Sequence, residues 1–71
     1  MKLHYYSETD SLYIELSSGA RVDSREIVPG LVVDFDATGN VVGIDIDHAS
    51  RKLELGTLEA TSLPTSRLSV A

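Results

Sequence analysis

The feature that most limits what this chain can fold into is a period of two. Leu31, Val33 and Phe35 alternate with Val32, Asp34 and Asp36, and Val42, Ile44 and Ile46 alternate with Val41, Gly43, Asp45 and Asp47. Side chains that change face at every residue describe strands, whereas a helix repeats its apolar positions every three or four. Between the two runs lies Ala37-Thr38-Gly39-Asn40, a turn sequence. A four-residue loop sets Phe35 opposite Val42, Val33 opposite Ile44 and Leu31 opposite Ile46, so that one face is wholly apolar. A slip of one residue would put Asp45 opposite Leu31. The spacing therefore predicts a hairpin with a four-residue loop and with Gly39 or Asn40 in the left-handed conformation.

The same period runs through Leu3 and Tyr5, separated by His4, and through Leu12, Ile14 and Leu16, separated by Tyr13 and Glu15. The polar stretch Ser7-Glu8-Thr9-Asp10-Ser11 between them makes a second hairpin. After Ser17-Ser18-Gly19, residues 21–28 read as a weaker strand whose charges fit an edge, and Pro29-Gly30 turns the chain again. From Asp47 the pattern changes. Asp47 is expected to cap a short helix over residues 48–55, closed by Gly56, with Ala49, Leu53 and Leu55 against the sheet. The expected architecture is α+β, mainly an antiparallel β-meander of four to five strands with one short C-terminal helix packed on the sheet. Residues 1–56 form this domain, and residues 57–71, rich in Ser and Thr and broken by Pro64, form a mobile tail.

A chain of 71 residues has little volume for an interior. Cores of this size contribute roughly 3–5 kcal/mol of net stability, so small domains add disulfides, a metal or a second subunit. The absence of cysteine removes the disulfide, the thiolate nucleophile and the Cys-type zinc site. That leaves a metal or self-association. The opening MKLHYYS lacks a basic segment followed by an apolar run, and no window approaches the ~20 apolar residues that cross a bilayer, so a cytoplasmic location without membrane contact is expected. The formal net charge of −5 repels phosphate backbones, which argues against a nucleic-acid partner. Nine of the acidic residues lie at or before Asp47, against Lys2, Arg21 and Arg25, so the sheet portion is the acidic portion.

The sharpest chemical motif is DFDATGNVVGID. Asp34, Asp36, Thr38, Gly39, Val41 and Asp45 stand at the first, third, fifth, sixth, eighth and twelfth positions of a calcium-loop template. That template joins two helices, however, and both flanks here alternate as strands. The preferred reading is an acidic patch of Asp34, Asp36, Asp45 and Asp47 guarding an exposed sheet face. Calcium or small-molecule binding by the acidic hairpin is the alternative function. His4 and His48 read as surface polar residues, not as ligands or bases. There is no Gly-x-Ser-x-Gly elbow and no glycine-rich phosphate loop. Tyr5, Tyr6 and Tyr13 lack the interleaved basic residues of a base-stacking platform and read as packing or interface residues. No catalytic residue, metal site or cofactor is assigned, and no enzyme is expected. Tyr13, Val32 and Val41, on the face away from the helix, are expected to form a homodimer interface.

The run Tyr5-Tyr6-Ser7-Glu8-Thr9-Asp10-Ser11-Leu12-Tyr13-Ile14-Glu15-Leu16, followed by Pro29-Gly30-Leu31-Val32-Val33-Asp34-Phe35-Asp36 and Gly39-Asn40-Val41-Val42-Gly43-Ile44-Asp45-Ile46, resembles the YuzE-like family of small prokaryotic proteins of unknown function. The likeness covers residues 1 to about 53. It rests on a Tyr-x(4)-Asp-x-Leu-Tyr-Ile opening and a Val-Val-Gly-Ile strand ending in Asp-x-Ala-Ser. Relatives often carry Asp-Pro in place of Tyr6-Ser7 and Glu in place of Asp45. The resemblance implies a compact antiparallel sheet with a carboxy-terminal helix, often found paired, and no established reaction. Some relatives look like partners of small toxin-type proteins. For this chain that implies an antitoxin-like interaction module, a homodimer that binds a basic partner protein, with its negative charge steering the encounter.

Overall fold

Five strands form one antiparallel sheet: β1 (Lys2–Tyr6), β2 (Ser11–Glu15), β3 (Asp23–Val28), β4 (Leu31–Phe35) and β5 (Val41–Ile46). A single turn of helix, α1 (Ala49–Lys52), follows. The computed structural model describes residues 1–65, and the part of the expected tail from residue 66 onward lies outside the described residues. The α+β class and the antiparallel sheet are those the alternation implies. The strand order is β1-β2-β5-β4-β3. β3, β4 and β5 meander, and the β1–β2 hairpin attaches to the other side of β5. The link from β2 to β3 therefore runs past the end of the sheet. It is tied there by the N–H groups of Leu16 and Ser17, which donate to the Val42 carbonyl, and by the N–H of Val22, which donates to the Phe35 carbonyl. The charged segment expected at an edge is indeed the edge strand β3.

The β4–β5 turn differs from the expected four-residue loop. The Asp36 N–H donates to the Asn40 carbonyl at 2.9 Å and the Gly39 N–H to the Asp36 carbonyl at 3.1 Å, which leaves a three-residue loop with Gly39 at φ +86°. Phe35 consequently pairs with Val41, not Val42. Val42 is the extra residue of a β-bulge, and beyond it the register returns to Asp34 with Gly43, Val33 with Ile44 and Leu31 with Ile46. The cause is Asp36. Its carboxylate accepts the Thr38 N–H and hydroxyl, the Asn40 N–H and the Asn40 amide, which tightens the loop by one residue. The displaced residue enters the strand as a bulge, and the apolar register is kept.

The helix is shorter than expected and starts differently. It stops at Lys52, with Leu53 in extended conformation, so Gly56 does not close it. Its N-cap is His48, in the left-handed region at φ +52° and without a side-chain cap bond, while the Asp47 carboxylate accepts the His48 N–H and not an N–H of the helix itself. The capping acid comes from the other hairpin. Asp10 accepts the Ala49 N–H through its carbonyl at 2.8 Å, and the Ser50 N–H and hydroxyl through its carboxylate, the latter at 2.7 Å. Of the three residues expected to lie against the sheet, Ala49 is fully buried, whereas Leu53 and Leu55 are exposed. Leu12, Ile46 and Ala49 make the core on this side, with Ile14, Leu31 and Ile44 half-buried against them.

Candidate functional site

Pairing of the strands sorts the side chains into rows. His4, Tyr13, Asp45, Val32 and Glu26 lie in one line across the sheet, and Glu15, Gly43, Asp34 and Ser24 in the next. Both rows belong to the face away from α1, here the polar face. Near its middle sits Asp34, only 2 % exposed. A lone buried carboxylate is costly unless donors surround it. Three do. The Ser24 hydroxyl donates to Oδ1 at 2.7 Å, the Tyr13 hydroxyl to Oδ2 at 3.0 Å and the Arg21 guanidinium to Oδ2 at 3.5 Å.

Gly43 makes this geometry accessible. Tyr13 stands on β2 and Asp34 on β4, with β5 between them, so the phenol must lie across β5. A Cβ on Gly43 would come within 2.6 Å of Tyr13 Cζ. Only glycine leaves room for the ring, which is the close approach that a glycine inside a strand marks. Burial pushes the Asp34 carboxyl upward. The bonds from Ser24 and Tyr13 and the charge of Arg21 outweigh that effect and hold it below the usual carboxylate range. Burial, and then the bond to Asp34, raise the Tyr13 phenol. A carboxylate kept ionised with its oxygens committed is a weak proton acceptor, so the arrangement locks β2, β3 and β4 together across β5. Among the described residues no buried side-chain polar atom lacks a partner.

A second knot lies at the other end of the sheet. The Tyr5 hydroxyl donates to Asp10 at 2.7 Å, and Asp10 in turn holds Ser50, which ties β1 to the start of α1. The bonds from Ser50, then from Tyr5, lower the Asp10 carboxyl, and the same bond to Asp10 is the main cause that raises Tyr5. Asp10 adopts φ +53°, a conformation that aspartate tolerates better than most residues.

The polar face carries two hollows beside Arg21. One of about 380 Å³ is lined by Tyr6, Thr9, Ser11, Tyr13, Arg21 and Asp45. The other, of about 270 Å³, is lined by Tyr13, Glu15, residues 17–19, Arg21 and Val42. Both are shallow and open to solvent, unlike the clefts that enclose small ligands.

The four acids expected to form one patch are dispersed. Asp34 is buried and hydrogen-bonded, which corrects its placement on a solvent face. Asp36 serves its own turn at the hairpin tip. Asp45 is exposed on the polar face, and Asp47 lies past the end of β5, 3.4 Å from the His48 imidazole. The calcium template is likewise spent on internal bonds, because donors of the chain itself occupy the oxygens of Asp34 and Asp36. Among the described residues no three His, Cys, Asp or Glu side chains converge as a metal site would require. Tyr13 and Val32 share the polar face, both paired with Asp45, while Val41 lies beside the bulge at the hairpin tip. His4 is half-buried opposite Tyr13 and His48 is exposed.

Sequence reading missed Arg21, Ser24 and Gly43 around Asp34, and Asp10 with Ser50. One signal was available: an aspartate inside a strand run, set by the hairpin register opposite a glycine. Nothing local marks the Asp10–Ser50 contact, whose partners are 40 residues apart.

On the helix side, Leu3, Ile14, Ile44 and Val33 form one row, and Tyr5, Leu12, Ile46 and Leu31 the next. Ala49 packs on Leu12 and Ile46 at the centre. Leu3 and Tyr5, at the β1 margin, remain 47 % and 48 % exposed.

These features define a class: a five-stranded antiparallel domain with a hydrogen-bonded polar face and an apolar face that one turn of helix covers in part. The chain belongs to the family described as "protein of unknown function (DUF2283)", which matches residues 2–50 and so takes in all five strands and the start of α1. No curated protein and no solved structure matches the chain. Among the described residues no helix is long and apolar enough to cross a membrane.

Proposed function

We propose that this chain is a protein-interaction module that works as a homodimer. The observation that carries the reading is the partly covered apolar face. The hydrophobic residues buried among those described are Leu12, Val42, Ile46 and Ala49, whereas Leu3 and Tyr5, in the same rows as the core residues, stay half in water. A chain this short gains little from its own interior, and a second subunit is the usual remedy where disulfides are absent.

Charge bears on where such a contact would lie. Strand alternation places Glu15, Glu26, Asp34 and Asp45 on the polar face. The helix-side rows hold no acid except Asp23 on β3, which lies 3.8 Å from Arg25. Two copies that each carry a formal charge of −5 repel across their acidic surfaces, so contact is favoured where acids are few. Light scattering over a dilution series is the test. A mass near twice 7.7 kDa that falls on dilution supports the dimer, and a well-folded monomer at every concentration overturns it.

The open acids of the polar face, Glu26 and Asp45 foremost, favour a second role in the same module, the capture of a basic partner protein. Binding of a lysine-rich peptide that weakens steeply with added salt supports this, and salt-independent or absent binding refutes it. The narrower likeness to YuzE-like proteins belongs to the same proposal, carried by Tyr5, Asp10, Leu12, Tyr13 and Ile14 in the opening motif.

A further inference from the structure

Among the described residues the sheet has two edges without a partner strand, and they are built differently. β3 carries Asp23, Arg25 and Glu26, is interrupted by a register shift between Glu26 and Val28, and leads straight into Pro29. Charges, a bulge and an adjoining proline are the devices by which sheets refuse further strands. β1 has neither a bulge nor an adjoining proline, and only one such charge. Its five residues, Lys2–Tyr6, run in unbroken register with β2, Lys2 is the one charged side chain that is not histidine, and Leu3, Tyr5 and Tyr6 are exposed.

The Leu16 N–H donates to the Val42 carbonyl at 2.9 Å, so the even-numbered positions of β2 turn their backbone groups toward β5. Ser11, Tyr13 and Glu15 then turn theirs toward β1, where their partners are Tyr6, His4 and Lys2. Leu3 and Tyr5 are left to aim both N–H and C=O outward from the sheet. Their side chains meanwhile lie at the open margin of the apolar face.

We propose that two copies of the chain join β1 to β1 about a two-fold axis at His4, merging two five-stranded sheets into one continuous antiparallel sheet. The inference rests on the dimer reading above and names its contact. Only one antiparallel register uses both outward residues of both copies: Leu3 opposite Tyr5 of the second copy, and Tyr5 opposite its Leu3, with two backbone bonds at each pair. That register sets His4 opposite His4 at a position without backbone bonds and Lys2 opposite Tyr6. It also places the exposed Leu3 side chain beside a Tyr5 ring that its bond to Asp10 already holds, so the apolar rows of the two copies run on into each other. A two-fold contact centred on β1 sets the charged β3 edges of the two copies, with the acids of β4 beside them, farthest from each other. That separation lowers the repulsion between two chains of charge −5.

Two variants test the contact. Leu3→Pro removes an N–H that no bond among the described residues uses, and His4→Cys installs the chain's sole thiol where the two strands approach most closely. The expected results are a halved mass for Leu3→Pro with an unchanged far-ultraviolet dichroism spectrum, and a disulfide-linked dimer for His4→Cys under oxidised glutathione. Glu26→Cys on the β3 edge is the control and should stay largely unlinked. A dimer that survives Leu3→Pro, or His4→Cys that links no better than Glu26→Cys, overturns the β1 contact while the dimer stands. A wild-type monomer at all concentrations overturns both. Should Leu3→Pro fail to fold, the cross-linking comparison decides alone.

Discussion

On the polar face of the sheet one carboxylate, Asp34, is buried under donors from β2, from β3 and from the loop before β3. On the helix side two rows of apolar residues meet a helix of four residues, and the margin at β1 stays half exposed. The buried polar groups of one face are satisfied among the described residues, whereas the apolar face stays partly uncovered. A buried charge has to be satisfied locally, because an unpaired one is too costly to leave for a partner. Apolar surface costs little per unit area to expose, so it can wait for a second chain.

The largest effect that would break this comparison is at Asp34. Asp34→Ala leaves the Tyr13 and Ser24 hydroxyls without their acceptor and Arg21 without its anion. We expect a loss on the order of 3 kcal/mol in denaturant unfolding, without a change in the proposed pairing through β1. A loss below about 1 kcal/mol would show that the polar face is held by something else.

Acidity sharpens the same contrast at intermediate size. The native Asp34 carboxyl lies below the usual range, whereas in the unfolded chain it titrates near 3.9. As pH falls the unfolded chain takes up the proton first, so the stabilisation is complete above about pH 5 and is lost progressively below pH 4. Asp10 and Asp36, also lowered, act in the same direction. The Asp34→Ala variant should show a shallower acid limb in a series of melting temperatures, and an unchanged limb would contradict the assignment.

The smallest effect belongs to the tie between β1 and α1. Asp10→Ala removes the acceptor for Ser50 and Tyr5, and should speed amide exchange at residues 49–53 while β4 and β5 keep their protection. Equal acceleration across the whole sheet would mean that Asp10 supports the entire fold and not one turn of it.

Much of the architecture was legible because period two leaves few options. The two hairpins, the edge character of the third strand, a left-handed residue at Gly39 or Asn40 and the pairing of Val33 with Ile44 all follow from local pattern, and the structure puts the left-handed residue at Gly39. The loop length did not, because the bonds of Asp36 shift one residue from the loop into the strand while the register beyond stays the same. The helix was overestimated because capping was sought in the adjacent Asp47, and the cap arrived from Asp10 on another hairpin.

What the sequence by itself determined is which residues share a face. Side-chain alternation is a property of the extended backbone and needs no neighbours. The tertiary structure alone decided the strand order, and with it the fate of Asp34. Placing β5 between β2 and β4 brings Tyr13 over Gly43 to the carboxylate, and this turns a residue that alternation sends to solvent into the buried centre of the polar face. Burial depends on what covers a position, and covering is a relation between distant segments that no local period encodes.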